Sequence, residues 1–223
     1  MKLFFYGAGL SGLEKQEVIR SVLKESFVNA EIVIDTDILA AARALCRHKP
    51  GIACVIGTGS GSCLYDGKNI AASIPSLGFI LGDEGGGAYM GKRLLQDYLR
   101  GDMPEEIISH LRTEFEINKD IVLENVNRRE MPGRYLASFS EFINHHIKSE
   151  YIHKLVYDSF ADFMNHYIVR YKGYQSYDTY FSGSVAYFFG NILRSVLAAH
   201  NIRVARIIES PMDNLVDYHL DLL

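Results

Sequence analysis

Two glycine-rich loops lie close together between residues 52 and 91, and they constrain the fold more than any other feature of this sequence. The first loop, residues 57–62, reads Gly-Thr-Gly-Ser-Gly-Ser and follows a short apolar run that is typical of a buried strand. Glycine lacks a Cβ, so successive backbone N–H groups in such a loop can face one concavity that suits phosphate oxygens. A glycine-rich hairpin that binds no ligand is the alternative.

The second loop, residues 82–87, carries two carboxylates where a helical pattern begins. Asp83 and Glu84 could hold a metal-bound water, receive sugar hydroxyls or cap the helix N-terminus. Between the two loops, Asp66-Gly67 separates apolar segments and predicts a hairpin turn. The sequence leaves the three roles of the carboxylates open.

Composition excludes several classes of protein. The length of 223 residues suits one large or two small domains. The net charge of -4, without any basic run, argues against nucleic acid as a partner. No apolar segment is long enough to span a membrane, so a membrane partner is not expected either. Three cysteines without metal spacing, and no secretion signal at the N-terminus, favour reduced thiols and a cytoplasmic location.

The beginning of the chain allows a different function. Residues 2–6 predict a strand, residues 14–27 a helix and residues 31–35 a second strand. The apolar side of this helix comprises Val18, Val22 and Leu23. The glycine pattern after the first strand, with an acidic residue ending the second, matches a dinucleotide-binding fingerprint and makes an NAD(P)-binding oxidoreductase the alternative. The residues of the fingerprint are Gly7, Gly9, Gly12 and Asp35.

Asp37 lies at the junction between the second strand and an alanine-rich helix at residues 38–45. Thr36 or Asp37 could simply be the helix N-cap. A carboxylate at a strand-to-helix junction also lies where open α/β sheets bind ligands, and there it could be a general base. Position alone does not choose between these roles.

A second strand–turn–helix unit occurs near the C-terminus. Residues 179–181 predict a strand, residues 182–184 a turn of small residues and residues 185–200 a helix. Such a unit can form an anion or nucleotide site, or a plain connection. The preceding region, residues 102–171, is mostly helical, and its clearest helix is residues 151–167, where apolar side chains at helical spacing form a stripe that ends at Tyr167. The histidines of this region lack the spacing of a zinc site, so no metal ligands are predicted.

Together these residues resemble the BadF/BadG/BcrA/BcrD-type ATPase and N-acetylglucosamine kinase-like family, part of the superfamily of actin-like ATPases, sugar kinases and heat-shock ATPases. The most specific match combines residues 57–60 with residues 82–85. The matching stretches are residues 5–9, 37–45, 51–64, 78–91, 182–186 and 209–212.

The resemblance implies an α/β fold of the actin-like ATPase, ribonuclease H-like type, with a mixed sheet flanked by helices. Residues 1–40 would be the remnant of a first ribonuclease H-like domain. Residues 41–223 would form the second such domain, with a helical insertion at about residues 102–171. Nothing in the sequence matches the family's first phosphate loop, so the first domain is expected to be incomplete and kinase activity impaired.

The resemblance also implies a function, which is ATP-dependent phosphorylation of an amino sugar, with N-acetylglucosamine as the first candidate. ATP and Mg²⁺ would be the cofactors, Asp37 the catalytic base and a homodimer the assembly. A non-catalytic module that binds nucleotide or sugar is a further alternative. The nucleotide-binding residues would be Gly57, Thr58, Gly59, Gly183 and Ser184. The sugar-binding residues would be Ser60, Gly61, Gly78 and Asp83.

Overall fold

Two separate β-sheets organise the chain in the computed structural model, which describes residues 1–10 and 12–221. The small sheet contains only β1 (Lys2–Gly7) and β2 (Glu31–Thr36), which pair in parallel. Helix α1 (Leu13–Ser26) connects them as a crossover. The predicted strand–helix–strand unit at the beginning of the chain is therefore confirmed.

The large sheet has five strands in the order β5-β4-β3-β6-β7. Its strands are β3 (Gly51–Ile56), β4 (Ser60–Tyr65), β5 (Ile70–Ile74), β6 (Thr179–Ser182) and β7 (Val204–Ile208). Strands β3, β4 and β5 are antiparallel, whereas β6 and β7 run parallel to β3. The two antiparallel turns confirm the hairpins predicted from the glycines, and the sheet is mixed as expected.

Helices cover both faces of the large sheet because successive side chains of a strand point to opposite faces. Ala53 of β3 packs against α2 (Asp37–Cys46), and α12 (Met212–Leu220) packs on the outer side of α2. Cys54 faces the opposite, larger core, to which α4 (Gly87–Arg100) contributes. Since α2 spans residue 40, the expected domain boundary falls inside a helix that packs on the large sheet.

The region after α4 is mostly helical, as the sequence predicts. It comprises α5 (Glu105–Glu114), α6 (Lys119–Asn127), α7 (Pro132–Ala137), α8 (Ser140–His145), α9 (Glu150–His166) and two 3-10 turns (Ile168–Arg170 and Tyr174–Ser176). It packs closely on α4, where a Cβ at Gly91 would lie 1.9 Å from the Leu136 carbonyl oxygen. Only glycine allows the two helices to approach this closely.

Two sequence predictions need correction. The expected helix at residues 185–200 is divided into α10 (Ser184–Phe188) and α11 (Gly190–Ala198), and the break buries the Phe189 ring in the core. In α1, Val18 and Val22 were expected on the packed side but are exposed, because the two-stranded sheet covers only a narrow strip of the helix.

Within the described residues no helix combines the length and apolar character needed to cross a membrane.

Candidate functional site

The glycine-rich turns after β3 and β6 meet at one edge of the large sheet, the edge formed by the carboxyl ends of these two inner strands. The two strands are parallel neighbours, with Val55 opposite Ser182, so their carboxyl ends lie side by side. Gly183 adopts a φ of +116°, and a Cβ there would lie 2.3 Å from the Ile56 carbonyl oxygen. The structure therefore brings the predicted nucleotide-binding residues into contact, and Gly183 cannot carry a side chain.

Asp37 lies at the same edge because α2 runs antiparallel to β3. The C-terminal end of α2 is at the start of β3, where Tyr65, paired with Gly51, donates its hydroxyl to the Arg47 carbonyl at 3.1 Å. The N-terminal residue Asp37 must then lie towards the carboxyl end of β3. Its side chain is exposed there, and among the described residues Oδ1 accepts the Ile38 N–H, at 2.9 Å, and no other donor.

Thr36, rather than Asp37, is the N-cap of α2. Its hydroxyl accepts the Leu39 N–H at 3.4 Å. Since Thr36 fills the capping role, the Asp37 carboxylate is free to meet solvent or a substrate.

We call residues 57–59 the phosphate loop, after the role that the resemblance implies for them, and residues 82–86 the acidic loop. The two are joined by backbone hydrogen bonds, because the N–H groups of Gly87 and Ala88 donate to the Gly57 and Thr58 carbonyls at 2.8 and 2.9 Å. The first turn of α4 is thus capped by the phosphate loop, and neither Asp83 nor Glu84 caps it. Helix capping, one of the three roles that the sequence left open for these carboxylates, is therefore excluded.

The phosphate loop retains hydrogen-bond donors for an anion. Its Gly57 N–H donates internally to the Gly59 carbonyl at 2.9 Å. In the part of the chain that the structure describes, no hydrogen bond involves the N–H of Thr58 or Gly59, and the Thr58 side chain is exposed. Two backbone donors and one hydroxyl therefore remain, which is the chemistry that phosphate binding requires.

Asp83 is brought beside the phosphate loop. Its side chain is almost buried, and Oδ1 accepts the Ser60 N–H at 3.4 Å and the Ser76 hydroxyl at 3.3 Å. Gly78 begins α3 (Gly78–Leu81) just before the acidic loop and accepts the Gly82 N–H at 2.8 Å. Gly61 is partly exposed on β4. Ser60, Gly61, Gly78 and Asp83, the four residues that the family resemblance assigns to sugar binding, thus lie on adjoining segments.

Two tyrosines from the helical region after α4 support these segments, and sequence reasoning missed both. The Tyr171 hydroxyl hydrogen bonds to the Ser62 hydroxyl at 2.8 Å and accepts the Ile74 N–H at 3.3 Å. Tyr167 is buried behind Ser60 and Asp83, and burial raises the pKa of its phenol, which stays protonated. In the sequence, the apolar stripe that ends at Tyr167 indicated only a helix core.

A cavity of about 480 Å³ lies beside the turn at Gly183, and Ser184, the residue after that glycine, is part of its lining. Ser140 also lines the cavity, and a Cβ at Gly87, the first residue of α4, would lie 2.6 Å from the Ser140 Oγ. This oxygen is buried and has no hydrogen-bond partner among the described residues. The cavity is lined by residues that include Ser140, Asn144, His145, Ser184, Val185 and Phe188. The lining thus combines apolar side chains with hydroxyl, amide, imidazole and carboxylate groups, the last from Glu141, and such a mixture can hold a polar small molecule.

No cluster of three or more His, Cys, Asp or Glu side chains that could hold a metal occurs in residues 1–10 and 12–221. Cys46, Cys54 and Cys63 are buried and free, and burial raises the pKa of each thiol. They are therefore inert thiols rather than nucleophiles or ligands.

The chain is similar to two solved structures that are described as putative N-acetylglucosamine kinases. The Porphyromonas gingivalis structure has a TM-score of 0.95 and 37% sequence identity, and the match covers 99% of this chain and 77% of that chain. The Chromobacterium violaceum structure has a TM-score of 0.63 and 19% identity, with 96% and 75% covered, and shows the fold alone. No protein-family model and no curated protein matches the chain. Neither structure supports the oxidoreductase alternative.

Proposed function

The chain belongs to the sugar kinase family of the Porphyromonas gingivalis protein, and on that basis we propose that it phosphorylates an amino sugar with ATP. N-acetylglucosamine is the first candidate substrate. We also assign this family to the BadF/BadG/BcrA/BcrD group of actin-like ATPases with a ribonuclease H-like fold. The mixed, helix-flanked sheet and the paired glycine-rich loops support that assignment.

One observation carries the proposal, namely the contact between the phosphate loop and the turn at Gly183 beside the cavity. In this proposal the N–H groups of Thr58 and Gly59, together with the Thr58 hydroxyl, bind the nucleotide phosphates. The nucleoside would extend past Ser184 into the cavity. Phosphoryl transfer depends mainly on such positioning and on neutralisation of the phosphate charge.

Asp37 is the proposed general base. It would take the proton from a sugar hydroxyl as that oxygen attacks the terminal phosphorus of ATP, so that a sugar phosphate forms and ADP leaves. Its free, exposed carboxylate at the carboxyl edge of the sheet supports this role. The sugar would be held by Ser60, Gly61, Gly78 and Asp83.

Mg²⁺ fits this site because it prefers oxygen ligands, and it is usually bound by one or two carboxylates together with substrate phosphates. Thr58 offers an exposed hydroxyl oxygen at this edge of the sheet, and the nucleotide phosphates would supply further oxygen ligands. When bound, the ion would neutralise negative charge on the phosphates.

Binding of Mg-ADP tests the proposal first, because it requires the phosphate loop and the turn at Gly183 but neither the sugar nor the chemical step. Titration calorimetry should show heat with Mg-ADP and none with NAD. Binding of NAD that is lost in Gly9→Val would instead favour the oxidoreductase. Failure to bind either nucleotide contradicts the proposed site.

Phosphoryl transfer is then measured with N-acetylglucosamine and ATP. Asp37→Asn should abolish turnover and leave Mg-ADP affinity within about twofold, since a general base contributes to the chemical step. Retained turnover removes Asp37 from its role. Binding of sugar and nucleotide without turnover in the unaltered chain favours the non-catalytic module.

The homodimer and the cytoplasmic location remain parts of the proposal. Sedimentation equilibrium of the purified chain measures the first, and cell fractionation measures the second.

A further inference from the structure

Asp83 is held under conditions that are unfavourable for an aspartate. Its side chain is 8% exposed, and its backbone φ is +59°, in the left-handed region that disfavours side chains. No Lys, Arg or His of the described residues forms a salt bridge with it. A buried, unpaired carboxylate in a strained backbone persists where the surrounding structure fixes it, which is common at functional sites.

Both carboxylate oxygens of Asp83 lie against the end of the phosphate loop. Oδ1 accepts the N–H of Ser60, the residue that directly follows the loop, at 3.4 Å. Oδ2 faces Gly59 so closely that a Cβ there would lie 2.6 Å away. The carboxylate therefore restricts the peptide unit between residues 59 and 60.

The acidic loop and the start of α4 hold the other side of the phosphate loop. Their hydrogen bonds occupy the Gly57 and Thr58 carbonyls, and the Ser60 hydroxyl donates to the Glu84 carbonyl at 2.7 Å. A Cβ at Gly86 would lie 2.9 Å from the Thr58 carbonyl oxygen. Because the loop carbonyls are occupied, the Gly57 N–H is bonded within the loop and the Ser60 N–H is held by Asp83, the backbone donors left for a ligand are the Thr58 and Gly59 N–H groups.

We propose that Asp83 is a positioning residue for the phosphate loop, separately from any contact with the sugar. By holding the Ser60 N–H, it keeps the N–H groups of Thr58 and Gly59 directed at the nucleotide phosphates. The proposal rests on the proposed function, because it assumes that a nucleotide binds at this loop.

The test compares Mg-ADP affinity, without sugar, in Asp83→Gly and Asp83→Asn. Glycine adopts the positive φ freely and removes only the carboxylate, whereas asparagine tolerates this backbone and keeps an acceptor for the Ser60 N–H. Loss of a hydrogen bond to a charged group predicts affinity at least about tenfold weaker in Asp83→Gly, with Asp83→Asn within about twofold of the unaltered chain.

Asp162→Ala is the matched control. Asp162 accepts the Tyr89 hydroxyl at 2.8 Å and pairs with Arg93 on the α4–α9 interface, and within the described residues it forms no hydrogen bond with residues 57–59. Its loss should lower stability and leave Mg-ADP affinity unchanged. If Asp83→Gly binds Mg-ADP as tightly as the unaltered chain, Asp83 is at most a sugar ligand and the proposal is wrong.

Amide hydrogen exchange at Ser60, measured without any ligand, separates this proposal from the proposed function. Exchange should be faster by at least about tenfold in Asp83→Gly, unchanged in Asp83→Asn, and unaltered at Ala53 in all variants. Unchanged Ser60 exchange in Asp83→Gly overturns the positioning role. If the unaltered chain binds no Mg-ADP but Ser60 exchange responds as expected, the nucleotide assignment fails while the effect of Asp83 on the loop stands.

Discussion

The chain contains two versions of the same unit, a parallel strand pair joined by a helical crossover. In the small sheet the unit is β1–α1–β2, and in the large sheet it is β6–α10–α11–β7. Every residue of β6 is buried, whereas every residue of β1 is at least partly exposed, and α1 buries none of its residues. The difference arises because β6 lies between β3 and β7, and because α9 packs against the crossover helix α11.

The comparison shows that the number of packed neighbours, rather than the unit itself, decides whether it becomes core or surface. An isolated two-stranded sheet is marginally stable in water, and three or more strands or a covering layer are needed. We therefore expect the small sheet to open before the large one, and the following predictions test that difference.

Replacing one leucine by alanine in each of the two crossover helices should give the largest difference in the free energy of unfolding. Leu193 of α11 is fully buried, so Leu193→Ala should lower the free energy of unfolding by about 3–5 kcal/mol. Leu13 of α1 is 81% exposed, so Leu13→Ala should change it by less than about 0.5 kcal/mol. Urea denaturation measures both, and equal effects would contradict the comparison.

The glycines that follow β1 and β6 provide a second pair. Gly183→Ala combines a positive φ with overlap against β3, so we expect a loss of about 2–4 kcal/mol and weaker Mg-ADP binding. Gly9 also has a positive φ, of +71°, but a Cβ there meets nothing within 4 Å. Gly9→Ala should cost about 1 kcal/mol, from backbone strain alone, without affecting Mg-ADP affinity. If calorimetry shows that both variants bind Mg-ADP equally weakly, the prediction that only Gly183 affects nucleotide binding is wrong.

A hydrogen-bonded chain ties the small sheet to the rest of the molecule. Arg43 of α2 donates to the Tyr6 hydroxyl at 2.7 Å, and that hydroxyl lies 2.8 Å from His219 Nε2. Tyr6→Phe leaves both partners unsatisfied and should reduce the opening free energy of β1 and β2 by about 1–3 kcal/mol. Hydrogen exchange should show this change at β1 and none at β3. Uniform destabilisation of both sheets would mean that they unfold together.

The smallest expected effect is a pH dependence of the stability that the Arg43–Tyr6–His219 chain gives to the small sheet. Burial lowers the pKa of His219, with contributions from the charges of Arg43 and Lys2, so the folded chain favours the neutral imidazole. Stability from this group is therefore present above pH 6.5 and is lost as the pH falls through the lowered value. After correction for the pH dependence of intrinsic amide exchange, the protection of β1 amides should decrease from pH 7 to pH 5. His219→Gln, which cannot titrate, serves as the control and should flatten the profile.

Much of the local structure could be predicted from the sequence. Apolar runs and glycine pairs located the strands and hairpins of the large sheet, and the apolar stripe before Tyr167 located α9. Local patterns succeed here because the spacing of buried side chains is fixed by the helix or strand itself. Val18 and Val22 show the limit, since helical spacing identifies an apolar side but not whether anything packs against it.

The candidate site depended more on tertiary structure. The sequence suggested Asp37, the phosphate loop and the turn at Gly183 as separate features, each with a structural alternative. Only the antiparallel packing of α2 and the parallel pairing of β6 with β3 placed them at one edge. Likewise, no local signal indicates that Tyr171 supports Ser62, because 109 residues separate them.

By itself, then, the sequence determined which segments form strands and helices and where the backbone must lack a Cβ. The tertiary structure decided what those segments meet: the carbonyls of the phosphate loop, rather than Asp83 or Glu84, cap α4, and the Asp83 carboxylate turns to the Ser60 N–H. The physical reason is that periodicity and turn propensity act over a few residues. Hydrogen-bond partners and burial depend on segments that only the folded chain brings together.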